Sequence, residues 1–159
     1  MVGLSHSVVG VPAFQSKPRV LIVRSAYRAE IIDGLYTGAL EALSECGAIV
    51  ESVTVHGSLE IPGAIALHEK AGKAYDAYIA LGCILKGDTI HDEVIAYTAY
   101  QSLQDMIVGQ GLCIGCGILT VNTVEQAEER ASPERQNRGR EAALAALHML
   151  SLKRSLAGK

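Results

Sequence analysis

The chain has 159 residues, 49% of them hydrophobic and 19% charged, with a formal net charge of −3. This composition excludes a disordered polypeptide, and the length suits one domain with a substantial core. No apolar run reaches the roughly 18 uninterrupted residues of a membrane span, and the acidic balance leaves no footprint for nucleic acid or an anionic membrane. Residues 1–18 carry no basic segment ahead of their apolar residues, so the sequence reads as free of a signal peptide and as cytoplasmic. Its four cysteines then read as free, mostly buried thiols, and sixteen glycines with one Phe and no Trp imply tight turns around an aliphatic core.

Residues 1–18 show no hydrophobic period and contain Pro12 and Pro18. They read as a flexible, extended arm ahead of a single domain over 19–159. Residues 19–23 predict a strand and 24–28 a loop holding Tyr27. Residues 29–46 predict a helix, with Ile31, Ile32, Leu35, Ala39, Ala42 and Leu43 at helical spacing and Gly47 as its stop. Residues 49–55 alternate and predict a second strand. His56-Gly57-Ser58-Leu59-Glu60 is a strand-to-helix loop, and Pro62 suits the first turn of a helix that ends before Gly72. The apolar run 77–85 predicts a strand buried on both faces, followed by the loop Lys86 to His91 and a helix over 92–110 stopped by Gly111. A fourth strand is predicted over 112–119. Asn122 with Glu125 makes a capping-box start to a helix that runs to Ala131. Ser132-Pro133 breaks it, and an Ala- and Leu-rich helix fills 137–153.

Strands alternating with helices predict an α/β fold with a parallel sheet covered on both faces. All strands then end at one edge, where open α/β sheets bind ligands. That edge collects Tyr27, the His56 to Glu60 loop, the Lys86 to His91 loop and Thr120 to Asn122. Lysine, glycine, a hydroxyl and a helix N-terminus at Lys86 to His91 suit an anion, a phosphate above all. At a helix start the dipole disfavours an imidazolium, so His91 reads as a neutral ring able to accept a proton, although Asp92 and Glu93 oppose this. A surface or capping histidine is the alternative. Glu60 reads either as a helix N-terminal charge or as a carboxylate for ligand hydroxyls. Arg130 and Arg138 read as surface charge or as phosphate-gripping groups. A helix carries Arg130 away from the strand-end edge by about 1.5 Å per residue, so in the second reading it serves a neighbouring subunit. Cys113 and Cys116 have metal- or redox-like spacing, but three apart on a strand they face opposite sides and read as core thiols. Gly115-Cys116-Gly117 lacks the third glycine and helix of a dinucleotide fingerprint, and Lys86-Gly87-Asp88-Thr89 lacks the Walker order.

Taken together the ordered motifs Gly57-Ser58-Leu59-Glu60-Ile61-Pro62, Ala80-Leu81-Gly82, Lys86-Gly87-Asp88-Thr89-Ile90-His91, Gly117-Ile118-Leu119-Thr120, Glu125-Gln126-Ala127 with Glu129-Arg130-Ala131, and Asn137-Arg138-Gly139 resemble the 6,7-dimethyl-8-ribityllumazine synthase family over roughly 19–152. The resemblance implies a three-layer αβα sandwich with a four-stranded parallel, flavodoxin-like sheet. It implies condensation of 5-amino-6-(D-ribitylamino)uracil with 3,4-dihydroxy-2-butanone 4-phosphate to 6,7-dimethyl-8-ribityllumazine, with phosphate and water released and no metal or organic cofactor. By position, it places Tyr27 against the pyrimidine, Ser58, Leu59 and Glu60 on the pyrimidine and ribityl chain, and Ile84 and Leu85 around the ring. Gly87, Asp88, Thr89 and Arg130 would hold the phosphate, and His91 would transfer protons. Cys116 and Arg138 would meet the ring system, and these two with Arg130 would come from an adjacent subunit. A homopentamer with sites between subunits is therefore expected. The turn Ser132 to Gln136 replaces the Gly-Thr-Lys-type turn of capsid formers and favours an isolated pentamer, with the arm placed to pair with a neighbour's sheet. Departures at Leu59, Asp92-Glu93, Tyr97-Thr98 and Cys116 bear on affinity and rate rather than on reaction type. The competing reading is a non-catalytic paralogue that binds a flavin or lumazine.

Overall fold

The computed structural model describes residues 10–158. Residues 1–9 of the predicted arm lie outside the described residues. The elements are β1 (Arg19–Ser25), α1 (Ala29–Glu45), β2 (Ile49–Val55), a single 3-10 turn (Ser58–Glu60), α2 (Ile61–Lys70), β3 (Ala77–Leu85), α3 (His91–Gln110), β4 (Ile114–Val121), α4 (Val124–Ala131) and α5 (Arg138–Leu156). The four strands form one parallel sheet in the order β2-β1-β3-β4, which makes this the αβα sandwich that the sequence predicts.

Alternation along the strands sorts the core into two layers. Val20, Ile22, Ile79, Leu81 and Cys83 face α1, α4 and α5. Leu21, Val23, Tyr78, Ala80 and Ile84 face α2 and α3. Strand β3 lies between β1 and β4, and all but its last residue are buried, as its uninterrupted apolar run requires. Helix α5 buries Gly139, Ala142, Ala143, Ala146, Leu147 and Leu150, a stripe of mostly small residues at helical spacing. The small residues let backbones touch: a methyl group added at Gly139 would lie 1.9 Å from the Leu35 carbonyl oxygen of α1, and one at Gly115 would lie 1.8 Å from that of Ala142.

Several predicted boundaries move, among them the end of β1, which reaches Ser25 rather than residue 23, and the end of α5, which reaches Leu156 rather than residue 153. Strand β4 runs over Ile114–Val121 rather than 112–119, because Leu112 and Cys113 are apolar without pairing in register, whereas Thr120 and Val121 pair with Ile84 and Leu85. Helix α4 is capped by Thr123, not Asn122. The Thr123 hydroxyl accepts the Gln126 N–H at 3.2 Å, and the Gln126 side-chain oxygen accepts the Asn122 N–H at 2.8 Å, so the cap sits one residue later than predicted.

Residues 10–18 have no helix or strand and run along α5. Arg154 donates to the Ser16 carbonyl at 2.8 Å and lies 5.2 Å from the centre of the Phe14 ring, and His148 Nε2 donates to the Gly10 carbonyl at 2.9 Å. No helix among the described residues is long and apolar enough to cross a membrane.

Candidate active site

The carboxyl ends of β1, β2 and β3 open onto a cavity of about 650 Å³. Three short segments supply the predicted residues that line it. Tyr27 follows β1; Ser58, Leu59 and Glu60 follow β2; Ile84, Leu85, Gly87, Thr89 and His91 come from the end of β3 and its loop. Tyr27 and Leu59 are about half exposed, at 51% and 46%, so part of the cavity wall is apolar and open to solvent.

The β2 loop is held by its own hydrogen bonds. The Gly57 N–H donates to Glu60 Oε2 at 2.9 Å, and the Glu60 N–H donates to the Gly57 carbonyl at 3.2 Å. One carboxylate oxygen of Glu60 thus braces the turn. Ser58 differs: its hydroxyl is buried and has no hydrogen-bond partner. An unsatisfied buried hydroxyl costs about 1–3 kcal/mol.

On the β3 side, His91 is the first residue of α3, and its N–H donates to Thr89 Oγ1 at 3.3 Å. The imidazole is exposed at the cavity edge. The Gly87 N–H donates to Asp92 Oδ1 at 3.2 Å. Asp88 is exposed and outside the cavity wall, so its side chain takes no part there.

Cys116, Arg130 and Arg138 also lie off this cavity. Cys116 sits on the α3 face of β4, where the Tyr100 hydroxyl donates to the Ile118 carbonyl. Arg130, in the last turn of α4, donates to the Gln126 carbonyl at 3.1 Å. Arg138 opens α5 behind the Asn137 cap, whose side chain accepts the Arg140 N–H at 3.3 Å. A second cavity of about 430 Å³ lies between α3 and the end of β4, walled by Tyr97, Tyr100, Thr120 and Lys86. Ile84 and Asp92 border both cavities.

Several residues enter the site without having been predicted for it. Ile95 lines the cavity one helical turn after His91, a neighbour that helical spacing alone could have indicated. Cys83 lines it too, and burial pushes its thiol pKa up, with the Arg28 charge opposing the rise. Arg28 stands in the left-handed region at φ 60°, which few residues other than glycine adopt, and its guanidinium lies 5.4 Å from the centre of the Tyr27 ring. Its Nε is buried without a partner, and it makes no ion pair among the described residues. Burial raises the pKa of Cys46, Cys113 and Cys116 as well; all four cysteines are free, and Cys113 and Cys116 face opposite sides of the sheet as predicted.

Fold and cavity define a flavodoxin-like α/β protein with an open cavity at the ends of its strands. The chain belongs to the 6,7-dimethyl-8-ribityllumazine synthase family, whose model matches residues 17–154. It is 46% identical to 6,7-dimethyl-8-ribityllumazine synthase of Bartonella tribocorum over 140 residues, covering 88% of this chain and 93% of that protein. It is 47% identical to 6,7-dimethyl-8-ribityllumazine synthase 1 of Rhodopseudomonas palustris over 146 residues (89% and 90%), and 46% identical to the Nitrobacter hamburgensis synthase over the same length (89% and 90%).

Proposed function

We propose that the chain is a 6,7-dimethyl-8-ribityllumazine synthase, a transferase of riboflavin biosynthesis. It condenses 5-amino-6-(D-ribitylamino)uracil with 3,4-dihydroxy-2-butanone 4-phosphate and releases phosphate and water. The observation that carries the reading is the convergence of Tyr27, Ser58, Glu60, Thr89 and His91 on one cavity at the strand ends. The pyrimidine stacks on Tyr27 between Leu59 and Ile84, with Leu85 beside it. The unpartnered Ser58 hydroxyl meets a polar ring atom, and Glu60 accepts ribityl hydroxyls. The phosphate sits at Gly87 to Thr89, where the start of α3 favours an anion. The Asp88 contribution is from its backbone alone. His91, between the phosphate and ring ends, carries protons during imine formation, phosphate elimination and ring closure.

The rest of the site comes from a second copy. Cys116, Arg130 and Arg138 are separated from this cavity within one chain, which supports a homopentamer with each active site between two subunits. Arg130 there completes the phosphate clamp through its planar fork of donors.

Turnover of the two purified substrates, followed by the absorbance and fluorescence of the lumazine, tests the reading. Wild type is expected to exceed the uncatalysed rate, and Arg130→Ala to raise KM for the phosphorylated substrate. A wild-type rate equal to the no-enzyme control, with riboflavin or lumazine still bound, would contradict it.

A further inference from the structure

We propose that Asp92 is a built-in competitor for the substrate's phosphate, occupying in the free chain a backbone donor that the phosphate uses when it binds. The inference rests on the reading of the Gly87 to His91 loop as the phosphate subsite. One backbone donor of that loop is already taken in the free chain. Its Gly87 N–H already donates to Asp92 Oδ1, and the Thr89 hydroxyl already accepts from the His91 N–H. A carboxylate oxygen and a phosphate oxygen make the same demand on an N–H group, so Asp92 holds the place of the incoming ligand.

Placement singles out Asp92 among the loop's acidic neighbours. Asp88 is exposed and borders neither cavity, and Glu93 borders the second cavity alone. Asp92 is half-buried, borders both cavities and alone among them bonds to the loop backbone. As the second residue of α3 its charge also favours the helix start, so it competes with a phosphate for the dipole as well as for the N–H. Phosphate must displace it or settle beside a like charge, and either weakens binding. The same competition works for the product. When inorganic phosphate has been eliminated, the return of Asp92 to the Gly87 N–H helps to expel it. Asp92 is thus a specificity-determining residue that lowers phosphate affinity and opposes product inhibition.

Inorganic phosphate is the probe, measured as an inhibitor of lumazine formation in wild type, Asp92→Asn and Asp92→Ala. Asparagine keeps an oxygen acceptor without the charge, and alanine removes both. Both variants are expected to be inhibited at about two- to fivefold lower phosphate concentrations than wild type, and the gap is expected to narrow at high salt. Residues that merely brace the loop would not give tighter binding when removed. Unchanged or weaker inhibition in both variants, with wild type active and inhibited by phosphate, would overturn the role of Asp92 while leaving the subsite intact. A wild type that neither turns over nor responds to phosphate would remove the subsite, and the role of Asp92 with it.

Discussion

Gly82 and Ser58 occupy space that admits only one side chain. A methyl group added at Gly82 in β3 would lie 2.4 Å from Ser58 Oγ and 3.3 Å from Ser58 Cβ. The glycine therefore makes room for the buried, unpartnered hydroxyl on the cavity wall. Gly82→Ala should cost about 1–3 kcal/mol through overpacking. It should also lower kcat/KM about tenfold, as the serine is pushed out of place. The double variant Gly82→Ala/Ser58→Ala should recover stability, because the clashing oxygen is gone, but not activity. Thermal melts beside steady-state kinetics separate the two effects.

The Arg28 guanidinium lies over the Tyr27 ring with no competing ion pair among the described residues. With the pyrimidine stacked on Tyr27 as proposed, a cation there would steady the ring and strengthen its stacking on an electron-rich aminopyrimidine. Arg28→Asn tolerates the left-handed backbone and removes the charge. It should raise KM for the pyrimidine about two- to fivefold with little change in KM for the phosphorylated substrate. Equal rises for both substrates would point to a general loss of structure.

Gly139 marks where α5 meets α1. A methyl group there would lie 1.9 Å from the Leu35 carbonyl oxygen and 2.6 Å from its carbon, and neither is a flexible side-chain end. Gly139→Ala should therefore destabilise the fold by at least about 1–3 kcal/mol, read as a lower denaturation midpoint. Gly63→Ala, in α2 with open space around it, is the matched control and should be neutral or slightly stabilising.

Tyr78 is buried beneath α2, and its hydroxyl bonds to Glu69. Burial first, then that hydrogen bond and the charge of Glu69, hold its pKa well above the ordinary tyrosine value of about 10. A raised folded pKa means that its contribution to stability is complete below pH of about 10 and is lost as pH rises above it, where only the unfolded chain ionises. Stability should therefore fall on the alkaline side, and Tyr78→Phe should flatten that fall. Phenolate absorbance in the folded protein should show tyrosines that fail to titrate near pH of about 10.

Strand β3 was legible to the residue, because a strand buried on both faces writes itself as an unbroken apolar run. The ends of β4 were not: hydropathy extends back to Leu112, while pairing with β3 decides where the strand stops. At the α4 cap, Asn122 and Thr123 are both competent, and the Gln126 side chain selects the second. Most residues predicted from the loops after β1, β2 and β3 line one cavity, since loops after parallel strands share one edge. Finer relationships around the cavity were hidden. The left-handed backbone of Arg28, the contact of Gly82 with Ser58 and the bond from Gly87 to Asp92 depend on dihedral angles and on neighbours that hydrophobic periodicity does not encode.

The most direct test of the shared active site is complementation between two inactive variants. His91→Ala spoils the half-site that holds the cavity, and Arg130→Ala spoils the half-site proposed to come from the adjacent subunit. Each alone should be strongly impaired in lumazine formation. Co-refolded in equal amounts, they should regain activity, because about a quarter of the interfaces in a randomly mixed ring pair an intact His91 with an intact Arg130. Activity no higher than the average of the two separate variants would contradict a site built between subunits.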